Sequence, residues 1–333
     1  MVNIGINGFG RIGRRVLRLA LTHPNINVVA INDLADADTL GHLLKYDSIH
    51  GIIDADVKTS DGVLQLNGSA IPFLNHKRPH DIPWSDYNVD IVVESTGKFK
   101  TKAELTGHLK PNVSHVVLSV PPVGDGIKTI VLGVNEHTLE SSDQIVSNAS
   151  CTTNNAAPLM ALIDKHFGIK QAYITTVHSY TTDQSLHDVP HHDLRRARAA
   201  GQSIVPTTTG AAKALTKIFP HLSSVIGGAG IRVPVANGSL TDMTINVKKD
   251  QVSIDEVNQV FNAAAKGQLK GILQYTEDPI VSVDIVGNTH SCVFDAQMTS
   301  VIGNMVKIIG WYDNETGYSS RILELICNLS EKK

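Results

Sequence analysis

Cysteine is scarce in this chain: Cys151, Cys292 and Cys327 are its only three. So small and odd a number cannot staple a secreted disulfide scaffold, so a reducing, cytoplasmic home is expected, with one thiol available for chemistry. Neither sign of charge dominates. The formal net charge of -3 gives no electrostatic reason to expect nucleic acid or an anionic membrane as partner. No apolar run reaches the roughly 18 residues of a membrane helix. The opening Met-Val-Asn-Ile-Gly-Ile-Asn reads as a strand, not as a charged segment leading an apolar one, so no signal peptide is expected. Internal repeats and low-complexity tracts are missing too. What remains is ordinary globular composition, with hydrophobic residues at 42% and charged residues at 18%. Its 333 residues exceed what one core comfortably fills, which points to two domains.

The first half alternates short β-rich runs, at 2–7, 28–32, 89–95, 115–120, 129–134 and 144–147, with helical patterns at 11–22, 38–44 and 102–109. That alternation is the signature of βαβ units and a parallel sheet. Residues 57–75 carry Asp61-Gly62 and Asn67-Gly68 and read as an inserted hairpin. After Cys151 the texture changes. A helix over 152–167 precedes a β run at 172–180, then a polar loop at 181–206 that holds Arg195, Arg196 and Arg198. A loop of that length is usually functional or part of an interface. Long β runs at 231–248, 291–301 and 305–311, with a helix at 254–265 among them, suggest a mixed or antiparallel sheet. Residues 318–329 close the chain with apolar positions at helical spacing.

Gly8-Phe9-Gly10-Arg11-Ile12-Gly13 follows the first strand and opens a helix. The pattern is weak alone, but in that context the glycines allow a tight turn and bring backbone against a pyrophosphate at a helix N-terminus. Asp33 lies at the end of the second strand. A carboxylate there accepts from a ribose 2′-OH and repels a 2′-phosphate, which favours NAD over NADP.

Ser147-Asn148-Ala149-Ser150-Cys151-Thr152-Thr153-Asn154 joins a strand to a helix and sets Cys151 at the helix N-terminus. A free thiol ionises near pH 8.5. The helix end lowers that by at most about 1.5 units, so a cationic neighbour is wanted. His178, in Thr175-Thr176-Val177-His178-Ser179-Tyr180-Thr181, is the candidate: as imidazolium it would stabilise the thiolate and then act as general base and oxyanion donor. Cys292 and Cys327 fit inert buried positions.

The runs G-I-N-G-F-G-R-I-G-R, S-N-A-S-C-T-T-N, T-V-H-S-Y-T, L-R-R-A-R-A-A, T-G-A-A-K-A, R-V-P-V-A-N and W-Y-D-N-E-T-G-Y-S occur in this order. Together they resemble the glyceraldehyde-3-phosphate dehydrogenase family over nearly the whole chain. The resemblance implies an α/β fold: a Rossmann-type, doubly wound parallel sheet plus an α+β catalytic domain with a mixed or antiparallel sheet. The expected domains are 1–149 for NAD, completed by a C-terminal helix 315–333, and 150–314 for catalysis. Cys151 would attack the aldehyde to give a thiohemiacetal, with His178 taking the proton. Hydride transfer would leave a thioester, which inorganic phosphate cleaves to the acyl phosphate 1,3-bisphosphoglycerate. Thr181 and Arg232 match the family's site for the substrate phosphate; Ser150, Thr152, Arg195, Thr209 and Gly210 match that for the attacking phosphate. Arginine suits both because its fork grips phosphate bidentately. With Gly8, Gly10, Gly13 and Asp33, the residues Arg11, Ile12, Arg78, Thr96, Ser119 and Asn314 match NAD contacts. A homotetramer is implied through the 181–206 loop, and no metal, membrane or nucleic acid.

One position departs from the pattern. The family commonly places a second cysteine four residues after the nucleophile, where this chain has Asn155. Positions four apart share a helix face, so such a thiol could trap an oxidised nucleophile, and Asn155 cannot. Other readings stay open: an erythrose-4-phosphate dehydrogenase, against which Thr208-Thr209-Gly210-Ala211-Ala212-Lys213 argues, and a catalytically inactive binding relative. Asp188-Val189-Pro190, like Asp33, resembles the NAD type rather than the NADP type.

Overall fold

The computed structural model describes residues 1–331, so the last two positions of the expected helix 315–333 lie outside the described residues. The chain divides into two compact units, the first formed by Met1–Ile130, Asn135–Ser150 and the residues from Ser319 on, the second by Val131–Val134 and Cys151–Tyr318. No helix among the described residues is long and apolar enough to cross a membrane.

In the first unit the order is β1 (Val2–Asn7), α1 (Arg11–Ala20), β2 (Ile26–Asn32), α2 (Ala37–Lys45), the short pair β3 (Tyr46–Asp47) and β4 (Gly51–Ile52), β5 (Val57–Ser60), β6 (Val63–Leu66) and β7 (Ser69–Leu74). There follow β8 (Ile91–Glu94), α3 (Lys102–Thr106), β9 (His115–Leu118), β10 (Lys128–Thr129) and β11 (Ile145–Ser147). One sheet runs β10-β11-β9-β8-β1-β2-β7-β6-β5. From β10 to β7 every pairing is parallel. All four residues of β8 and of β9 are buried, as strands covered on both faces should be. Strand order reverses at β1, which has β2 on one side and β8 on the other. A crevice at the carboxyl ends of strands at such a reversal is where doubly wound sheets take their ligands.

Residues 57–74 make two successive hairpins rather than one. Asp61, Gly62, Asn67 and Gly68 all have positive φ, as tight primed turns require. The β run expected at 129–134 ends almost at once: only Lys128 and Thr129 pair, and Val131–Val134 belongs to the second unit. Gly133 makes this turn at φ +81, and a Cβ there would sit 2.7 Å from Leu269.

The second unit comprises α4 (Cys151–Phe167), β12 (Ile169–Ser179), β13 (Val205–Thr207), α5 (Ala211–Ile218), β14 (Ile226–Val233), β15 (Ser239–Val247), α6 (Ile254–Lys266), β16 (Leu273–Thr276), β17 (Cys292–Asp295), β18 (Ser300–Ile302), β19 (Met305–Tyr312) and the start of α7 (Thr316–Ser330). Its eight-stranded sheet runs β13-β14-β12-β15-β19-β17-β16, with β18 on β19. β12 pairs parallel to β14 and antiparallel to β15, so the sheet is mixed. The expected run 231–248 is two strands, broken where Gly238 turns at φ +86. The run 291–301 is likewise interrupted by a helical turn at Ala296–Met298, whose amide at Gln297 is capped by Asp295. Helix α5 and strand β16 lie outside the helices and strands expected from sequence.

Candidate active site

β11 ends at Ser147 and α4 opens with Cys151. Between them Ala149 takes φ 57, the left-handed region that a residue with a Cβ seldom occupies. Its amide donates to the Ser147 hydroxyl at 3.1 Å. So tight a strand–helix turn leaves Cys151 as the first residue of a helix whose next turns are buried.

His178 comes from the end of β12, and its Nε2 lies 3.4 Å from Cys151 Sγ. Its Nδ1 is 2.7 Å from the Ser179 carbonyl oxygen, which can only accept. With its proton on Nδ1, the ring would turn the Nε2 lone pair toward the thiol. Arg232, the register partner of His178 on β14, brings Nη1 within 2.6 Å of Nδ1 and also donates to the Ser179 carbonyl at 2.9 Å. Burial, with the Arg232 charge added to it, pushes the imidazole down to about 3. At neutral pH His178 is thus neutral, and the imidazolium expected from sequence is not the thiol's cationic neighbour; Arg232 is. Burial pushes the Cys151 thiol up, while Arg232 and the Thr152 hydroxyl and amide pull it back down. Tyr312 closes this side: its hydroxyl bridges Thr152 and Thr176, at 2.9 Å from each, and its ring meets His178 edge-on.

The anion-binding candidates separate. Thr181 is half-buried just past β12, and Thr209 and Gly210 lead into α5, where the Thr209 hydroxyl accepts from the Ala211 amide at 3.2 Å. A Cβ on Gly210 would meet nothing within 4 Å, so the backbone here faces open space. Arg195 is exposed, with its amide bonded to Asp193. It is Arg196 whose guanidinium turns inward, to Asp183 at 2.7 Å, the Thr207 hydroxyl at 2.9 Å and the Thr208 carbonyl at 3.1 Å. Its charge also reaches His178 and Arg232, lowering both. The family resemblance points to Arg195 for the attacking phosphate and gives Arg196 no such role. The repeated arginines of L-R-R-A-R give no periodic clue to which one turns in.

Asn314 is held in one orientation. Its Oδ1 accepts from Ser179 at 2.9 Å and Ser239 at 3.0 Å, leaving Nδ2 to donate elsewhere. Beside it, buried Asp313 accepts from Asn237, Gly287, Glu315 and Thr316 and fixes the turn into α7. Neither Tyr312 nor Asp313 carries a local sequence signal for its role, although both lie within two residues of Asn314.

In the first unit a cleft of about 260 Å³ lies at the crevice beside β1, lined by Gly8, Gly10, Asp33 and Thr96 together with Lys77 and Lys98. Its backbone suits a dinucleotide. Gly8 stands at φ +92, where a Cβ would lie 2.6 Å from the Thr96 amide, and a Cβ on Gly13 would lie 2.2 Å from the Gly8 carbonyl. Gly10 faces space with nothing within 4 Å, room for a pyrophosphate at the start of α1. Asp33 accepts from the Phe9 amide at 2.7 Å, which ties the strand end to the glycine turn. Arg11 does not point its guanidinium freely: it pairs with Asp47 at 2.6 Å, so Ile12 and Arg11 have mainly backbone to offer. Burial would raise the Asp47 carboxyl, but Arg11 and the His50 and Ile49 amides outweigh it and hold it well below the usual range. Arg78 is exposed and pairs with Asp81 at 3.3 Å, whereas the neighbouring Lys77 lines the cleft. Ser119 is buried at the end of β9, its amide on the Glu94 carbonyl.

Comparison with known proteins accords with this arrangement. A family model described as the glyceraldehyde 3-phosphate dehydrogenase NAD binding domain matches residues 2–102, and the corresponding C-terminal domain matches residues 150–314. The chain is 49% identical to glyceraldehyde-3-phosphate dehydrogenase 1 of Bacillus cereus, covering 100% of this chain and 99% of the relative. It is 49% identical to the Geobacillus stearothermophilus enzyme of that name, over 99% of both chains. For the Borreliella burgdorferi protein of that name the identity is 49%, over 97% of this chain and 98% of the relative. The chain belongs to the glyceraldehyde-3-phosphate dehydrogenase family.

Proposed function

We propose that this chain oxidises D-glyceraldehyde 3-phosphate to 1,3-bisphosphoglycerate with NAD and inorganic phosphate, the first unit holding the cofactor and the second carrying the chemistry. The observation that carries the reading is the approach of His178 Nε2 to Cys151 Sγ at 3.4 Å, with Nδ1 engaged by Ser179. A neutral imidazole with its lone pair on the thiol is a general base in waiting. As the sulfur attacks the aldehyde carbon, the thiol proton passes by way of Nε2 to the carbonyl oxygen, which gives the thiohemiacetal and leaves the ring neutral again. NAD, when bound, supplies the hydride acceptor. His178 takes the hydroxyl proton as the carbon is oxidised to a thioester. A phosphate oxygen then attacks that carbon, the C–S bond breaks, and the acyl phosphate leaves as the sulfur regains its proton.

Arg232, whose guanidinium sits beside His178, fits the phosphate already on the substrate, with Thr181. For the attacking phosphate we favour Arg196 over Arg195, with Ser150, Thr152, Thr209 and Gly210, because only Arg196 turns toward the Thr207–Thr208 segment. Nδ2 of Asn314, which Ser179 and Ser239 leave to donate elsewhere, would suit the nicotinamide carboxamide. A homotetramer fits the 181–206 loop, which exposes Leu186, Leu194 and Ile204, with Leu194 80% exposed. Three free cysteines fit the reducing cytoplasm.

The test is absorbance of reduced nicotinamide on mixing the chain with glyceraldehyde 3-phosphate and NAD, with and without phosphate, beside Cys151→Ser. Phosphate-dependent turnover that vanishes in the variant is expected. Preference for erythrose 4-phosphate in the same assay would move the substrate assignment, and NAD binding without any reduction would leave only the cofactor reading. Light scattering of the eluting protein checks the tetramer.

A further inference from the structure

Behind the dinucleotide cleft lies a fully buried carboxylate that the chemistry above does not use. Glu94, the last residue of β8, is 0% exposed and is met by hydrogen-bond donors alone. Asn7 Nδ2 donates to Oε2 at 2.6 Å, and the Thr96 amide donates to Oε1 at 2.9 Å, joined there by the Thr96 hydroxyl. The fourth donor is His108, whose Nε2 is 2.9 Å from Oε2. Its protonation is dictated from behind: the indole Nε1 of Trp84 can only donate, and it donates to His108 Nδ1 at 3.0 Å. His108 is therefore the neutral tautomer with its proton on Nε2, pointing at Glu94. Four donors and no acceptor are the complement of an ionised carboxylate.

From this anchor the bonds run in one direction across the ends of three neighbouring strands. Asn7 pairs in register with Glu94 on one side and Asn32 on the other. Asn32 Nδ2 donates to Asn7 Oδ1 at 2.8 Å, and the His76 amide donates to Asn32 Oδ1 at 2.8 Å. Each amide is oriented by the one before it, and the first by the carboxylate. Asn7, Asn32, His76 and Thr96 are all walls of the cleft. The Thr96 segment also packs on the glycine turn, where a Cβ on Gly8 would strike the Thr96 amide.

We propose that Glu94, with His108 and Trp84 locked behind it, is a positioning residue for the dinucleotide: its charge fixes the Asn7–Asn32 amides and the Thr96 turn in the arrangement that receives NAD. The proposal rests on the cleft being the NAD site. In Glu94→Gln the new amide group must face either the Asn7 and His108 donors or the Thr96 amide, so donor meets donor in both orientations and the chain of orientations loses its origin. Removing a buried charge need not destabilise the fold, so affinity and stability can move apart.

The experiment is calorimetric titration of NAD into the full-length parent, Glu94→Gln and His108→Gln, with thermal unfolding of each without NAD. The Kd for NAD is expected to rise about tenfold in Glu94→Gln, the scale of one lost charge-assisted bond, and less in His108→Gln, which lies outside the cleft. The KM for NAD should rise with it, while the KM for aldehyde stays within about twofold. Nitrogen NMR of the parent at neutral pH should show the one ring proton of His108 on Nε2. An NAD Kd unchanged in a folded Glu94→Gln overturns the proposal; should that variant not fold, an unchanged Kd in His108→Gln does so, as does a proton on Nδ1 of His108. A parent that does not bind NAD would instead sink the cofactor reading itself.

Discussion

Arg232 Nη1 stands 2.6 Å from Nδ1 of His178, and both nitrogens lie within hydrogen-bond distance of one acceptor, the Ser179 carbonyl oxygen. No carboxylate bonds this guanidinium among the described residues, although Arg196, which also lowers it, has Asp183. Two arginine charges thus press on one buried imidazole, and the site is short of an anion. A phosphate group is the natural missing partner.

His178 should therefore titrate according to what Arg232 holds. Burial and Arg232 bring its pKa to about 3 without ligand. An anion on the guanidinium offsets the second cause, so the pKa should rise by about 1–3 units when inorganic phosphate or a non-reactive phosphate ester binds. Arg232→Leu should raise it without any ligand. Proton NMR of the His178 ring, with and without phosphate, reads this directly. A titration indifferent to both changes would show that burial alone sets the value.

Acid stability follows from the same residue. Its folded pKa of about 3 lies below the ordinary 6.5, so above pH 6.5 both folded and unfolded chains leave the ring neutral and the full stability is present. As the pH falls below 6.5 only the unfolded chain takes the proton, and stability is lost down to pH 3. Between pH 6.5 and 5 the loss from this group is about 2 kcal/mol. His178→Asn should accordingly show a shallower decline of urea-unfolding free energy than the parent over that interval. Parallel declines would mean that His178 is protonated in the native protein at the acid end of it.

The two adjacent arginines should differ sharply in consequence. Arg196→Ala removes bonds to Asp183, Thr207 and the Thr208 carbonyl, so both the proposed anion site and its loop lose their anchor. A fall of about 100-fold in kcat/KM, with a raised KM for phosphate, is expected from losing more than one charge-assisted bond. Arg195→Ala should stay within about threefold, as surface changes do. The reverse ranking in initial-rate assays would return the phosphate role to Arg195.

What was legible in the chain follows from which forces act locally. The glycine turn, Asp33 and the alternation of strands and helices were readable because backbone geometry demands those residues at those places. Cys151 at a helix start could be read from its strand–helix context. The protonation of His178 could not be. The sequence suggested an imidazolium, and the neutral ring results first from burial and then from Arg232, which is 54 residues away in the chain and adjacent only through the β12–β14 register. Arg196 and Arg195 differ in no local signal, and Asp183 and Thr207, which select between them, come from separate segments. Helix α5 is short and its preceding Thr-Thr-Thr-Gly reads as loop, while β16 is four residues long. The run 231–248 looked continuous because β-branched residues flank Pro234–Gly238 on both sides, and periodicity does not register a turn inside them.

Asn155 supplies a last prediction, since its place in the helix is where a resolving thiol would stand. The residue is buried at 0% exposure, and its amide ties α4 to two strands: Oδ1 accepts from the Thr241 hydroxyl and Nδ2 donates to the Trp311 carbonyl at 3.2 Å. Cys292 is buried, its thiol pushed far up by burial alone, and it offers no thiolate. Peroxide should therefore carry Cys151 to sulfenic acid, or to a mixed disulfide with added glutathione, and peptide mass mapping should find no intrachain bridge. Asn155→Cys should reverse this and yield a disulfide between Cys151 and the introduced thiol after the same treatment. It should also lose about 1–3 kcal/mol of stability, because the Thr241 hydroxyl and the Trp311 carbonyl lose a partner in a dry interior. A Cys151 disulfide in the parent would mean that another cysteine reaches the site through a larger opening of the fold. An Asn155→Cys variant as stable as the parent would mean that water or a shifted side chain takes over both bonds.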